Sequence, residues 1–324
     1  MRRRELLAMM GGSLASWPLF ARAQEPGRVY RIGCLFPSPR NAPQNVAFFD
    51  ELRRLGFIEG QNLVVEFRGY GQNVDRISSF AVELVNARAE VIVVGGDPAI
   101  RAAQQATTTI PILGFTDDMV GSGLVNSLAR SGGNTTGVSI LATELDGKRQ
   151  ELLIEAVPGL RRMAALADAT TTAPKQLQAL RDAARTSNVE LTFHEITKPA
   201  EIIPAIDAAK ASGAAALNVL ASPILFGNRQ IILERVALLG LPTIYQWPET
   251  AEEGGFVGYG PRIIQLFRDL MTRQLVKILR GAKPADLPIE QPTKFELVIN
   301  LHTAKALGIE VPATILARAD GVIE

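Results

Sequence analysis

Two histidines, one cysteine and a scatter of carboxylates bound the chemistry open to this chain of 324 residues. His194 falls in the alternating run Leu191-Thr192-Phe193-His194-Glu195, which puts it on the face of a strand, and His302 opens a terminal helix after Asn300-Leu301. Neither stands at metal-ligand spacing from the other or from a pair of carboxylates. There is no Gly-x-Ser-x-Gly elbow, no phosphate-cradling Walker loop and no His-Glu-x-x-His pair. Gly121-Ser122-Gly123 starts like a dinucleotide fingerprint, yet Asn126 occupies the place of its third glycine. Asp117-Asp118 reads as a cap beside a solvated neighbour at a strand end rather than as a metal pair. Without a nucleophile, a base and an orienting group, reversible binding is the expected chemistry, with no catalytic residue, metal or cofactor.

Residues suited to binding follow the apolar runs. They stand in Pro37-Ser38-Pro39, Gly95-Gly96-Asp97-Pro98, Thr116-Asp117-Asp118, Asp168 to Thr172, Ala221-Ser222-Pro223 and Gln246-Trp247-Pro248. In an open parallel sheet the ligand lies beyond the carboxyl ends of the strands. Asp97-Pro98 and Ser222-Pro223 have the form of a helix N-cap followed by a first-turn proline, and the free amides of such helix starts suit carboxylates and other anions. The expected contacts are Ser38, Asp97, Thr116 and Asp117 from the first half, and Thr170, Thr171, Ser222 and Tyr245 from the second. Period two places Tyr245 and Trp247 on one side of a strand end, as a stacking wall for a planar ligand. Tyr259, between Gly258 and Gly260, marks a lobe boundary where the chain must bend.

The elements that position these residues follow from periodicity. Strands are expected at Val29–Phe36, Asn62–Tyr70, Val91–Gly95, Ile110–Thr116 and Gly137–Leu141, with helices Gln44–Leu55, Val74–Ala87, Ala99–Thr107 and Val120–Ala129 between them. Near-continuous apolar runs such as Val91-Ile92-Val93-Val94 mean strands buried on both faces, as in a parallel sheet. After a long helix, Glu144–Val157, the pattern restarts. Strands Met163–Ala167, Glu190–Ile196, Ala214–Leu220 and Thr243–Trp247 alternate with helices Gln176–Thr186, Ala200–Ala211 and Ile224–Leu239. A strand Gly254–Gly260, a helix Pro261–Arg280, a connector Ala282–Pro292 and a strand Phe295–Leu301 close the chain. Alternation of this kind builds two doubly wound α/β lobes.

The first 23 residues read differently. Met1-Arg2-Arg3-Arg4-Glu5 precedes an apolar stretch from Leu6 to Phe20 and an Ala21-Arg22-Ala23 cleavage signature, the pattern of a secretory leader. Arg3-Arg4-Glu5-Leu6-Leu7 has the form of a twin-arginine signal, with a general secretory signal as the alternative. Loss of four arginines and one glutamate with that leader takes the formal charge from +1 to −2, which gives nucleic acid no electrostatic purchase. The single cysteine, Cys34, excludes an internal disulfide. It lies inside an apolar run rather than after the cleavage site, so it is expected to be a buried thiol and no lipid anchor. Export to a periplasm is expected, as a monomer.

Several segments in order resemble the substrate-binding proteins of ABC importers of the tryptophan/tyrosine type. They are Leu55-Gly56-Phe57-Ile58-Glu59-Gly60-Gln61-Asn62-Leu63, Thr108-Thr109-Ile110-Pro111-Ile112, Val120-Gly121-Ser122-Gly123-Leu124-Val125, Ser127-Leu128-Ala129-Arg130, Gly132-Gly133-Asn134-Thr135-Thr136-Gly137 and Gly147-Lys148-Arg149. The most specific are Lys283-Pro284-Ala285-Asp286-Leu287-Pro288 and Gln291-Pro292-Thr293-Lys294-Phe295-Glu296-Leu297-Val298-Ile299-Asn300. The resemblance implies a type I periplasmic-binding-protein fold: two doubly wound parallel-sheet lobes joined by hinge crossovers, closing on a small molecule for delivery to an inner-membrane permease, without catalysis. On that basis lobe one takes residues 29–141 and about 258–284, and lobe two takes 142–257 and about 285–324. The chain departs from the family pattern at Asp168-Ala169-Thr170-Thr171-Thr172 and at Ala221-Ser222-Pro223. The ligand is expected to be an amino acid, an aromatic acid or another carboxylate. A sensor-type binding protein and a diverged α/β enzyme dependent on Asp97 or Asp117 are the alternatives.

Overall fold

The computed structural model describes residues 27–71 and 73–324, so the expected leader and the cleavage site expected near Ala23 lie outside the described residues. Strands β1 (Tyr30–Phe36), β2 (Leu63–Gly69), β3 (Val91–Gly95), β4 (Ile112–Thr116) and β5 (Thr135–Ser139) form one sheet in the order β2-β1-β3-β4-β5, all parallel. A second sheet begins with β6 (Arg162–Asp168), β7 (Glu190–Ile196), β8 (Leu217–Val219), β9 (Thr243–Tyr245) and β10 (Val257–Gly260). These five repeat the first order as β7-β6-β8-β9-β10, also parallel. The antiparallel β11 (Glu296–Asn300) and then β12 (Gly321–Ile323) extend its edge. Burial explains the parallel geometry: every residue of β3, β4 and β5 is buried, as strands covered on both faces require.

Helices α1 (Pro43–Arg54), α2 (Ile77–Asn86) and α3 (Asp97–Ala106) cover the first sheet. The second is covered by α4 (Ala142–Ala156), α5 (Pro174–Thr186), α6 (Ile202–Ala211), α7 (Pro223–Gly227), α8 (Arg229–Leu238) and α9 (Pro248–Glu252). The Cys34 thiol is wholly inside the first lobe, where burial pushes its pKa up.

The chain crosses between lobes between β5 and α4, after β10, and again before β11. The first crossing carries Leu141 in the left-handed conformation (φ 58°), a strained backbone for a branched residue. After β10 the helical stretch Ile263–Gln265, Leu266–Met271 (a π-helical segment) and Thr272–Leu279 returns to lobe one, where Phe267 and Met271 join Phe36 and Phe48 in one core. On the way back, Glu290 N–H donates to Gly137 O (2.9 Å) and Ser139 N–H donates to Glu290 O (2.9 Å), so the last crossing runs beside β5.

Four expected features shift. Tyr259 and the rest of β10 belong to the second sheet, past the boundary placed at 258, because β10 pairs with both β9 and β11. Residues up to Glu290 stay with lobe one. The helix expected at Val120–Ala129 is a run of turns: Asp118 Oδ1 accepts the Gly121 N–H (2.8 Å) and Gly123 adopts φ 67°, local bonds that compete with helix. The helix expected at Ile224–Leu239 breaks at Asn228, whose side-chain amide donates to the Ile224 carbonyl (2.8 Å).

Candidate functional site

The carboxyl ends of both sheets face each other, and two aromatic rings meet there. Phe115 from β4 and Trp247, just past β9, lie with centroids 6.2 Å apart and planes at 22°. Phe226 sets an edge against Trp247 (5.8 Å), and Phe267 sets one against Phe115 (4.9 Å). With Phe36 these rings wall a small cavity between the lobes. Its polar lining includes Thr116, Asp117, Ser222 and Gln246. The loops in front of α3 and α7 touch beside it. A Cβ on Gly96 (φ 93°) would fall 2.5 Å from Pro223 Cγ, so only glycine permits this approach.

Carboxylates surround the cavity, and their protons follow from geometry. The Thr116 hydroxyl donates to Asp97 Oδ1. The Ser222 hydroxyl donates to Asp168 Oδ2 (2.6 Å) and accepts from the Ile224 and Leu225 amides (3.0 and 3.2 Å). Asp168, at the end of β6, also accepts from Thr170 Oγ1 (2.6 Å) and the Thr170 N–H (2.9 Å). Burial raises Asp97, with its bonds to Ser122 and Thr116 opposing. Asp117 is pushed up to about 8, first by burial and then by Asp97 and Asp146, while Arg149 opposes. The buried Tyr70 hydroxyl donates to Gly95 O (2.8 Å), and burial together with Asp168, Asp97 and Asp117 raises its pKa.

Behind the cavity, α4 carries Asp146 and Arg149 fully buried. Asp146 accepts from the Arg149 guanidinium and from Gln176 Nε2 of α5, and Arg149 Nη1 reaches the Tyr259 carbonyl (3.3 Å). Burial raises Asp146, with Arg149 opposing. This network joins α4, α5 and β10.

The sequence-derived candidates therefore separate. Thr116, Asp117, Ser222 and Trp247 line the cavity. Asp97, Thr170 and Thr171 line a wider polar groove of about 1910 Å³ between the lobes, beside Arg101 and Lys175. Ser38 is buried and accepts from Gln44 Nε2 (2.7 Å). Tyr245 is not part of the wall: the strand ends at Tyr245, whose ring stays in the core under α7 and α8, while the chain turns so that only Trp247 enters the cavity. The Tyr259 ring packs on the lower core of lobe two, and only its carbonyl meets a functional network. The free helix start expected at Ser222-Pro223 is closed, because the hydroxyl takes two of its amides.

Sequence reading passed over the phenylalanine walls, Asp168 as a proton acceptor and the Asp146–Arg149 pair. A signal existed for two of them: Asp168 ends the apolar run Ala164-Ala165-Leu166-Ala167, and Asp146 and Arg149 stand three apart on one helix face. Among the described residues no three His, Cys, Asp or Glu side chains group to hold a metal ion. No helix among them is long and apolar enough to cross a membrane.

Residues 44–323 match the family model described as ABC transporter substrate binding protein. A tyrosine-binding protein of Clostridioides difficile (strain R20291) is 26% identical over 269 residues, covering 81% of this chain and 76% of that protein. Among solved structures, an ABC domain in complex with L-Trp from Streptococcus pneumonia superposes with TM-score 0.80 at 22% identity, covering 91% of this chain and 100% of that one. A conserved domain protein from Vibrio cholerae O1 biovar El Tor gives 0.81 at 24% identity, covering 91% and 99%. These likenesses establish the fold as the two-lobed type I periplasmic-binding arrangement.

Proposed function

The chain belongs to the ABC transporter substrate-binding proteins, a family of binding proteins rather than enzymes, and from that premise we propose that it captures a small organic ligand with an aromatic or apolar body by closing its lobes. Delivery to an ABC permease in the inner membrane, from the periplasm, completes the reading. The observation that carries it is the Phe115–Trp247 stack, which joins the lobes across an aromatic-walled cavity. A ligand bound there touches both lobes only when they are shut, so it favours the closed state by the contacts the open state lacks. The ligands printed in the names of two relatives, tyrosine and L-Trp, are aromatic and agree with such walls.

The test uses protein purified without denaturation. Native mass spectrometry identifies the occupant, and solution scattering follows its removal and return. Compaction with a change in Trp247 emission is expected. An occupant that binds without changing either would overturn capture by closure.

A further inference from the structure

Accepting the capture reading above, we infer that the cavity selects an aromatic or apolar amine, an organic cation, in preference to an amino acid or a carboxylic acid. Its polar lining offers neither a cation nor a free hydroxyl proton. A serine and a threonine that each had a free proton would suit a carboxylate, but neither has one. Thr116 donates to Asp97 and Ser222 donates to Asp168, so neither has a proton to offer; Thr116 keeps its lone pairs, while those of Ser222 are taken by helix amides. Helix amides are closed as well: Ile224 and Leu225 donate to Ser222 Oγ, and the Phe226 N–H donates to Ser222 O (2.9 Å). At the start of α3, the Ala99 and Ile100 amides donate to Gly96 O.

The one ionisable side chain on the cavity wall is Asp117, and no Lys, Arg or His lines it. The Arg149 guanidinium, whose charge acts on Asp117, is bound to Asp146 and to the Tyr259 carbonyl. Two neutral donors remain, the Gln246 amide and the Trp247 indole N–H. Trp247 is 2% exposed and its Nε1 has no partner within the chain, a buried donor left for a ligand acceptor. A carboxylate entering here would leave water for neutral donors alone and keep Asp117 protonated, with no cation beside it, so its desolvation is only partly offset. An ammonium would meet Asp117 and the lone pair of Thr116, with aromatic faces around it.

Three probes of one size decide it: phenethylamine, L-phenylalanine and phenylacetate, titrated by calorimetry into protein freed of its occupant. Phenethylamine is expected to bind at least tenfold tighter than L-phenylalanine, with no binding of phenylacetate in the millimolar range. In the Asp117→Asn variant the preference for the amine is expected to vanish, with circular dichroism and melting unchanged as the check on folding. L-phenylalanine or phenylacetate binding as tightly as the amine would overturn the inference and leave lobe closure standing. Failure of the amine to bind overturns it too. The capture reading falls separately, only if the occupant identified by mass spectrometry leaves the scattering unchanged.

Discussion

Phe115 and Trp247 belong to different lobes, are distant in sequence, and lie stacked at 22° with centroids 6.2 Å apart. The contact joins the two lobes, and it makes the single tryptophan beyond Trp17 a reporter of their relative position. Replacing Phe115 by Leu keeps an apolar side chain but removes the stacked face. Aromatic pairs contribute about 0.5–1.5 kcal/mol beyond area, so ligand affinity is expected to fall about two- to tenfold. Fluorescence titration checks it, and an unchanged affinity and emission in Phe115→Leu would show that the stack has no part in closure.

Gly96 of lobe one lies directly against Pro223 of lobe two. In Gly96→Ala the added methyl would lie 2.5 Å from Pro223 Cγ, on a backbone with φ 93° that alanine adopts poorly. The clash opposes this approach of the two loops. Scattering of Gly96→Ala with saturating ligand is expected to stay at the open dimensions, with affinity down at least tenfold. Normal compaction in this variant would mean that the loops separate without cost.

Asp117 provides a pH signature. Its carboxyl is held up to about 8 by burial, Asp97 and Asp146, with Asp168 adding and Arg149 opposing. A bound cation favours the ionised form and lowers that value. Between the ordinary carboxylate range and about 8, binding of an amine therefore expels a proton, and affinity rises with pH until the group is ionised in the free protein too. Calorimetry at pH 7 in buffers of different ionisation heat is expected to show release approaching one proton, absent in Asp117→Asn. Proton uptake instead of release would contradict the assignment.

Asp146 and Arg149 are 0% and 1% exposed, so removing one member strands the other. Arg149→Met is expected to cost about 3–5 kcal/mol in chemical denaturation, and the double change Asp146→Leu with Arg149→Met distinctly less, because no unpaired charge is then buried. A single and a double variant of equal stability would show that the pair itself, and not the stranded charge, sets the cost.

Cys34 is sealed in the first lobe. A thiol reagent is expected to leave it untouched in the folded protein at neutral pH and to modify it at the rate of unfolding, since burial disfavours the thiolate. Fast labelling of native protein would contradict the packing of β1.

Much of the architecture was legible along the chain. Two rounds of apolar runs and amphipathic helices specify two parallel sheets, since a strand such as Val91–Gly95 has no polar face to show water. That logic also placed Thr116, Asp117 and Ser222 at strand ends, where they line the cavity between the lobes. It failed where local bonds outweigh periodicity, as at Asp118 and Gly121, where a side-chain cap took the place of a helix.

What tertiary structure decided was the chemistry of those strand ends. The direction of a hydroxyl proton depends on which acceptor lies across the fold. Ser222 reads as an open helix cap until Asp168, 54 residues earlier, is seen to take its proton. Trp247 and Tyr245 look equivalent by period two, yet the strand stops between them and the sheet keeps one ring inside. Sequence spacing fixes only which face a residue occupies. Partners contributed from distant segments determine whether that residue donates, accepts or packs, and from them comes the aromatic-walled cavity between the lobes.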